Sequence, residues 1–520
     1  MTMSKESGDY FNAAVDLIDH NLAAGRGGKT AYIDSTGPHS YQELSDQVNR
    51  AANALTQIGL KAEQRVILCL NDTFDFPICF LGAIKAGIVP VPVNTRLTPK
   101  EYAFILQDSR AAALIVSHAL LPAFAPHLKG HPNLATVMVS GGPEDGDHQA
   151  LASLLKEQSA DFTAAHTTRD DMCFWLYTSG TTGMPKGTVH LHGNLRATAD
   201  FYARDTIAVR ENDIMFSAAK LFFAYGLGNG LTFPLSVGAT TILLEGPPTA
   251  DEVSSILKTQ APTIFYGVPT LFGMLLASGL LPKPGEHSLR FCTSAGEALP
   301  AELLARWQKQ VGVDILDGIG STEMLHIFIS NRPGDVRPGS TGKPVTGYNI
   351  RLTGDDGLPV APGEMGALEI SGPSSGLMYW NRREKSLETF QGPWTRAGDK
   401  YRMDEDGYYI YCGRTDDMLK VGGIYVSPFE VEAALIEHDA VLEVAVIGKA
   451  DADNLIKPKA VIVPRQTDID QAELADELKQ FVKDRLAPFK YPRWIEFVEE
   501  LPKTATGKIQ RFKLRQPETG

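Results

Sequence analysis

The sequence predicts an α/β protein: a large N-terminal domain of parallel sheets covered by helices, carrying a small β subdomain, then a small α+β C-terminal domain. Three observations predict it. Short β-branched or apolar runs alternate with helical patterns as far as Gly342. The texture then turns to Gly, Pro and aromatics with short alternating runs, and beyond Gly413 a compact unit of helices and strands follows. Strand–helix alternation is the mark of parallel sheets, whose ligands sit beyond the carboxyl ends of strands.

Taken in order, the chain opens on a polar stretch of mixed charge, Met1 to Asp9, unlike a signal peptide. Helical periodicity covers 41–58 and 299–311; strands are expected at 65–70, 113–117, 136–140, 240–244, 263–267, 290–294 and 314–317. Several of these runs end in Gly, Ser or Thr, and the informative segments are expected at such ends. Residues 342–413 read as an antiparallel β subdomain, with alternation at 366–371 and 407–412. The boundary falls at Thr415/Asp416, dividing an N-terminal domain, 1–415, from a C-terminal one, 416–520. Ser427 as N-cap, Pro428 at N1 and Glu430 at N3 form a capping box opening a helix over 428–437. Strands at 442–447 and 459–463 and a helix over 471–486 complete that unit. No internal repeat appears.

At 520 residues the chain should hold more than one domain. With 43% apolar and 21% charged residues it is of soluble, globular type. A net charge of −13 without a Lys/Arg cluster disfavours nucleic acid as a partner. No apolar run reaches the ~18–20 residues of a membrane span. Cys69, Cys79, Cys173, Cys292 and Cys412 are scattered singly, mostly in apolar runs, as reduced core residues of a cytoplasmic protein would be. His190 and His192 alternate in a strand-like segment with no third metal ligand in sight.

The most informative stretch is Tyr177-Thr-Ser-Gly-Thr-Thr-Gly-Met-Pro-Lys-Gly187, which follows the apolar run 172–176. Thr178, Ser179, Gly180, Thr181 and Thr182 let backbone N–H groups approach a phosphate chain, and Lys186 adds a point charge for it. A Walker A loop is excluded, because that motif needs Gly-Lys-Ser/Thr whereas Lys186 lies between Pro185 and Gly187. The stretch resembles the phosphate loop of the adenylate-forming enzymes: acyl-CoA synthetases, peptide-synthetase adenylation domains and luciferases. The resemblance runs to Lys508 through further segments in the family's order.

Asp317-Gly-Ile-Gly-Ser-Thr-Glu323 resembles the family's Asn-x-Tyr-Gly-x-Thr-Glu segment. The resemblance implies that Glu323 holds Mg²⁺, a hard cation suited to carboxylate oxygen, and that Thr322 meets a phosphate. It places Asp317, Gly318 and Ile319 at adenine, with Ile319 standing where the family has an aromatic and Asp317 able to accept from the adenine amino group. Ala295, Gly296 and Glu297 are similar to the segment lining the adenine slot. Asp399, in a Thr-Gly-Asp region with two residues inserted, resembles the aspartate that accepts both ribose hydroxyls, and Arg414 the arginine that reaches the nucleotide. Lys508 resembles the adenylation lysine, which meets developing negative charge in the transition state. The resemblance makes the C-terminal domain mobile, with Asp416 as hinge and Gly422 and Gly423 lining the thiol tunnel after rotation.

The acyl pocket is expected from Ala224, Tyr225, Gly320, His326 and Ile327, with further flat walls from 265–267. Amino-acid-activating relatives carry aspartate where Ala224 stands, and a buried unpaired ammonium would cost several kcal/mol. Tyr225 offers a flat face. Residues 217–229, 317–328 and 413–428 resemble the benzoate–CoA ligase branch, which includes 4-hydroxybenzoate–CoA ligases. The expected reaction joins an aromatic carboxylate to AMP and passes the acyl group to CoA, with ATP, Mg²⁺ and coenzyme A required and pyrophosphate released. Benzoate is favoured over 4-hydroxybenzoate, since a buried para-hydroxyl needs a partner and His326 is the one candidate. Rivals are a carrier-protein loader, weakened by a chain that ends at Gly520 without a carrier domain, and a non-catalytic nucleotide binder, which should have lost Lys186, Glu323, Asp399 or Lys508. A lysine acetyltransferase acting on Lys508 and a homodimeric partner are further expectations.

Overall fold

The computed structural model describes residues 10–142, 148–178, 184–415, 417–421, 424–451, 455–466, 470–503 and 509–515. Its largest sheet has nine strands. Six run parallel, in the spatial order Ile315–Gly320, Phe291–Ser294, Ile264–Gly267, Ile214–Ser217, Thr240–Ile242 and Thr30–Asp34. Antiparallel strands extend both edges: Gly37–Ser40 at one, Ile327–Ser330 and Lys343–Pro344 at the other. A second sheet is wholly parallel, ordered Val89–Pro92, Arg65–Cys69, Ala113–Ser117, Thr136–Ser140, Gln149–Ala150.

Helix Tyr41–Gln57 shows how the layers lock. Ser40 caps it by accepting the Glu43 N–H at 3.1 Å, and Leu44, Val48, Ala51, Ala52 and Leu55 form its buried stripe. It packs on helix Asp75–Lys85, where a Cβ at Gly82 would lie 2.6 Å from Ala51 Cβ. Only glycine permits that approach. All five cysteines are buried and free.

The β subdomain is antiparallel, as the alternation predicts: Asn349–Thr353, Met365–Ser371, Trp394–Met403 and Phe390–Gln391 lie in sequence, with Tyr409–Arg414 on Trp394–Met403. Beyond it, Val441–Ala450, Ile456–Pro464 and Trp494–Phe497 form a separate sheet covered by helices Pro428–Ile436 and Gln471–Lys483. Its apolar cluster starts at Leu419, whereas the N-terminal clusters reach no further than Tyr411.

The strand before the phosphate loop, Met172–Thr178, is buried as its apolar run predicts. It pairs antiparallel with Lys186–Leu191 in a three-stranded sheet completed by Met378–Tyr379. One expectation needs correction: the capping box is half made. Ser427 accepts the Glu430 N–H at 3.1 Å, but the Glu430 carboxylate takes Lys490 Nζ at 2.6 and 2.7 Å. An ion pair has displaced the reciprocal bond.

Candidate active site

Thr178 and Lys186 face each other across the neck of the hairpin, and Tyr177 faces Gly187. A Cβ at Gly187 would stand 3.0 Å from the Tyr177 ring, so the neck closes only over glycine. Lys186 Nζ lies 4.3 Å from the centroid of the Tyr379 ring, a cation–π contact. The Tyr379 hydroxyl donates to Glu323 Oε1 at 2.5 Å. Burial lowers the Lys186 pKa; Glu323 opposes that shift, and Lys385 and Arg414 reinforce it. Burial and Glu323 raise the Tyr379 phenol, which stays a donor. Lys186, Tyr379, Glu323 and Arg414 thus share one electrostatic neighbourhood.

Most of the residues expected at the nucleotide lie where parallel strands end. Ser217, Tyr266, Thr293 and Leu316 are aligned across four adjacent strands, and Gly267, Ser294 and Asp317 follow one position on. Ala295, Gly296 and Glu297 come directly after Ser294; Gly296 has a positive φ of 92°, and Glu297 accepts the Thr270 hydroxyl at 2.9 Å. Asp317 is buried, its Oδ1 has no described partner, and burial pushes its carboxyl well above the usual carboxylate range, against Thr341 and the Gly318 and Leu299 N–H groups. Gly318, Ile319 and Gly320 continue the strand and pair with Ile327–Ser330. In the β subdomain Asp399 sits opposite Arg414, whose Nη1 lies 3.4 Å from Asp399 Oδ1. The carboxylate is buried and the guanidinium more open.

The residues expected at the acyl group converge beside this edge. Ala224 and Tyr225 start the short helix Ala224–Leu227, and the Tyr225 phenol is 2.6 Å from Thr293 Oγ1. His326 is buried, its ring boxed by Tyr202, Tyr225 and Phe233 at centroid distances of 5.1, 5.5 and 4.5 Å. His326 Nε2 lies 3.3 Å from the Tyr225 carbonyl and 3.2 Å from Asn229 Oδ1, while Nδ1 has no described partner. Burial lowers its pKa to about 3, so the ring is neutral and Nδ1 is an acceptor. The Ile327 side chain covers Gly318. Gly320 is set by backbone rather than by ring clearance: a Cβ there would fall 2.6 Å from the His326 carbonyl oxygen. Phe265 is not a wall of this site. Strand alternation turns it to the opposite face, where it stacks with Phe216 and meets Phe272; Tyr266 faces Tyr225 at 6.3 Å.

Thr322 and Glu323 enter a tight turn in which Leu325 N–H donates to the Thr322 carbonyl at 3.2 Å and Leu325 takes a left-handed φ of 64°. That turn puts Glu323 and His326 at opposite ends of four residues. His190, whose pKa burial lowers to about 4, places Nε2 2.8 Å from the same carbonyl, and His192 Nδ1 accepts the Ala13 N–H at 3.1 Å. Ser179, Gly180, Thr181, Thr182, Asp416, Gly422, Gly423 and Lys508 lie outside the described residues. Sequence reasoning missed Tyr379 and Asn229. Nothing local marks either, since Tyr379 reaches Glu323 only because Met378–Tyr379 pairs with the phosphate-loop strand.

A family model described as AMP-binding enzyme matches residues 20–380, and one described as AMP-binding enzyme C-terminal domain matches 430–508. The chain is 58% identical over 509 residues to a benzoate–CoA ligase of Thauera aromatica, covering 98% of this chain and 96% of that protein. It superposes on a benzoate CoA ligase from Burkholderia xenovorans LB400 with TM-score 0.91 at 52% identity, over 97% of this chain and 100% of the other. It superposes on the anthranilate CoA ligase AuaEII in complex with anthranoyl-AMP with TM-score 0.92 at 45% identity, over 97% of each.

Proposed function

The chain belongs to the AMP-binding enzyme family, and on that premise we propose that it is an AMP-forming aryl-CoA ligase acting on benzoate. In the first half-reaction a carboxylate oxygen attacks the α-phosphorus of ATP and pyrophosphate leaves. In the second the CoA thiol attacks the acyl-adenylate carbonyl, AMP leaves, and the thiol proton passes to solvent. One observation carries this reading: the charged cluster of Lys186, Tyr379 and Glu323 is joined by a four-residue turn to the aromatic cluster around Tyr225 and His326. That adjacency supports phosphate chemistry beside a flat acid.

Lys186 and the loop 178–182 take the phosphates, and Thr322 adds a hydroxyl. Tyr379 engages Glu323 Oε1 and orients the carboxylate, leaving Oε2 as the oxygen we assign to Mg²⁺. That ion neutralises phosphate charge when bound. Asp317, whose carboxyl burial pushes upward, offers the unpartnered Oδ1 to the adenine amino group. Asp399 takes the ribose hydroxyls and Arg414 holds that carboxylate. The unfilled Nδ1 of His326 supports a second acid, 4-hydroxybenzoate, whose phenol would donate there.

The separate apolar cluster beginning at Leu419 supports a domain boundary at 415/416 with Asp416 as pivot. Lys508 then serves adenylation in one arrangement, and Gly422 and Gly423 line the CoA approach in the other. Among the described residues no helix is long and apolar enough to cross a membrane, which suits a cytoplasmic enzyme. Acetylation of Lys508 by an acetyltransferase would remove its charge, and a homodimer is proposed as the assembly.

Pyrophosphate release is the test, with benzoate, 4-hydroxybenzoate, 2-aminobenzoate, cyclohexanecarboxylate and a medium-chain fatty acid, each with ATP and CoA. Release and aroyl-CoA formation led by benzoate are expected. Release led by the fatty acid would overturn the aromatic reading, and none with any acid would leave a nucleotide binder.

A further inference from the structure

The strand leaving the phosphate loop, Lys186–Leu191, carries Lys186, Thr188 and His190 on one face by its two-residue alternation. All three address one short stretch of another element. Lys186 lies over Tyr379, which bonds Glu323. Thr188 Cγ2 stands 2.8 Å from where a Cβ of Gly376 would be, and the Gly376 N–H donates to the Glu323 carbonyl at 2.7 Å. His190 Nε2 lies 2.8 Å from the Thr322 carbonyl. The imidazole is wholly buried and stacks on Phe174 with centroids 5.1 Å apart and planes 21° apart. Its Nδ1 is 3.3 Å from Asn194 Oδ1, and Asn194 is itself fixed by the Leu191 N–H and the Pro373 carbonyl, both at 2.9 Å. Both facing atoms are acceptors, so the neutral ring donates at one nitrogen only, and the shorter contact makes that Nε2–H to the Thr322 carbonyl; the stacking on Phe174 holds the ring plane.

We propose that His190 is a positioning residue for adenylation. Its Nε2–H holds the Thr322 carbonyl and so fixes the spacing between Lys186 and Glu323 across which the ATP phosphates and Mg²⁺ bind. The Thr322 carbonyl heads a turn that puts Leu325 in the left-handed region, which a branched side chain disfavours. A second hold on that carbonyl keeps the turn closed. Glu323 then stays at a set distance from a lysine on the neighbouring strand, because both are indexed to the same rigid strand face. This inference rests on the nucleotide half of the proposed function and not on the identity of the acid.

The variants are His190→Leu, which keeps bulk and removes the donor, and His190→Gln, whose amide reaches the place of Nε2–H. Three readouts apply to each full-length protein: calorimetric binding of ATP with and without Mg²⁺ and no acid present, pyrophosphate release with benzoate, and thioester formation from supplied benzoyl-AMP and CoA. For His190→Leu, Mg²⁺-dependent ATP binding should weaken and the KM for ATP rise about tenfold. The benzoate KM and the thioester step should stay within about twofold of wild type, and His190→Gln should recover most of the loss. Equal loss in both half-reactions, no recovery in His190→Gln, or a lower melting temperature with unchanged ATP binding would each overturn the proposal. The calorimetric arm needs no acid. Wild-type protein that binds Mg·ATP but ignores benzoate would refute the benzoate reading alone.

Discussion

Gly228→Ala tests the acyl pocket from behind, without touching a proposed substrate contact. A Cβ at Gly228 would lie 2.7 Å from His326 Nε2 and 2.9 Å from Phe233 Cζ, and closer still to His326 Cδ2. Ordinary carbon contacts stand at ~3.5–4.0 Å, so something must move by roughly 1 Å. His326 cannot yield cheaply. Its ring is enclosed by Tyr202, Tyr225 and Phe233 and tied through Nε2 to the Tyr225 carbonyl and Asn229. We expect the displaced ring to move towards the acid position proposed beside Tyr225 and Ile327. Overpacking of this kind costs ~1–3 kcal/mol, which is about five- to a hundredfold in kcat/KM for benzoate. The KM for ATP should hold, because Lys186, Glu323 and Asp399 are not disturbed. Steady-state kinetics with ATP and then benzoate varied, alongside a melting curve, give the measurement. A stability loss with unchanged benzoate kinetics would refute the placement of His326 at the acid, and a rise confined to the ATP KM would refute the division of the cleft into two halves.

Tyr379→Phe keeps the ring under Lys186 and removes the hydroxyl that donates to Glu323 and also meets Thr389. A hydrogen bond to a charged group is worth ~1.5–3 kcal/mol, so kcat/KM for ATP should fall about ten- to a hundredfold, with the benzoate KM unmoved. Lys508→Ala should abolish benzoate-dependent pyrophosphate release yet still convert supplied benzoyl-AMP and CoA to product; equal loss of both steps in folded protein would contradict the two-arrangement reading. Burial holds His190 and His192 at about 4 and His326 at about 3, below their unfolded value. Their stabilisation is therefore full above about pH 6.5 and is lost as pH falls towards 4 and 3. Asp72, raised to about 6 by burial, acts in the opposite sense between its unfolded value and that pH. The comparison of wild type with His326→Gln isolates one histidine: between pH 6.5 and 5 the variant's unfolding free energy from urea titration should depend less on pH, by at most about 1.4 kcal/mol per pH unit. Identical pH slopes would show that His326 is not buried neutral.

How far the site was legible depends on whether a residue acts through its own loop or through a neighbour. Lys186, Glu323, Asp399 and Arg414 stand in segments whose chemistry is written along the chain, and the fold brings Glu323 and Arg414 near Lys186, with Asp399 beside Arg414. The parallel strands were legible for the same reason, since burial on both faces leaves continuous apolar runs. Phe265 was misread because two adjacent aromatics in a buried strand point to opposite faces, and composition does not say which face meets the ligand. Glu430 was misread because the capping pattern cannot foresee Lys490 sixty residues on.

The sequence by itself determined the chemistry available: a Ser/Thr/Gly loop closed by one lysine, then Glu323 and Asp399 in fixed order, and Ala224 at a position that offers no counter-ion to an ammonium group. Tertiary structure alone decided how these are spaced. Strand pairing between residues almost two hundred positions apart brings Tyr379 to Glu323, and a buried histidine ties the phosphate-loop strand to the Thr322 carbonyl. Those contacts are few, long-range and made by ordinary core residue types. Their cost and benefit exist only once the chain has closed around them.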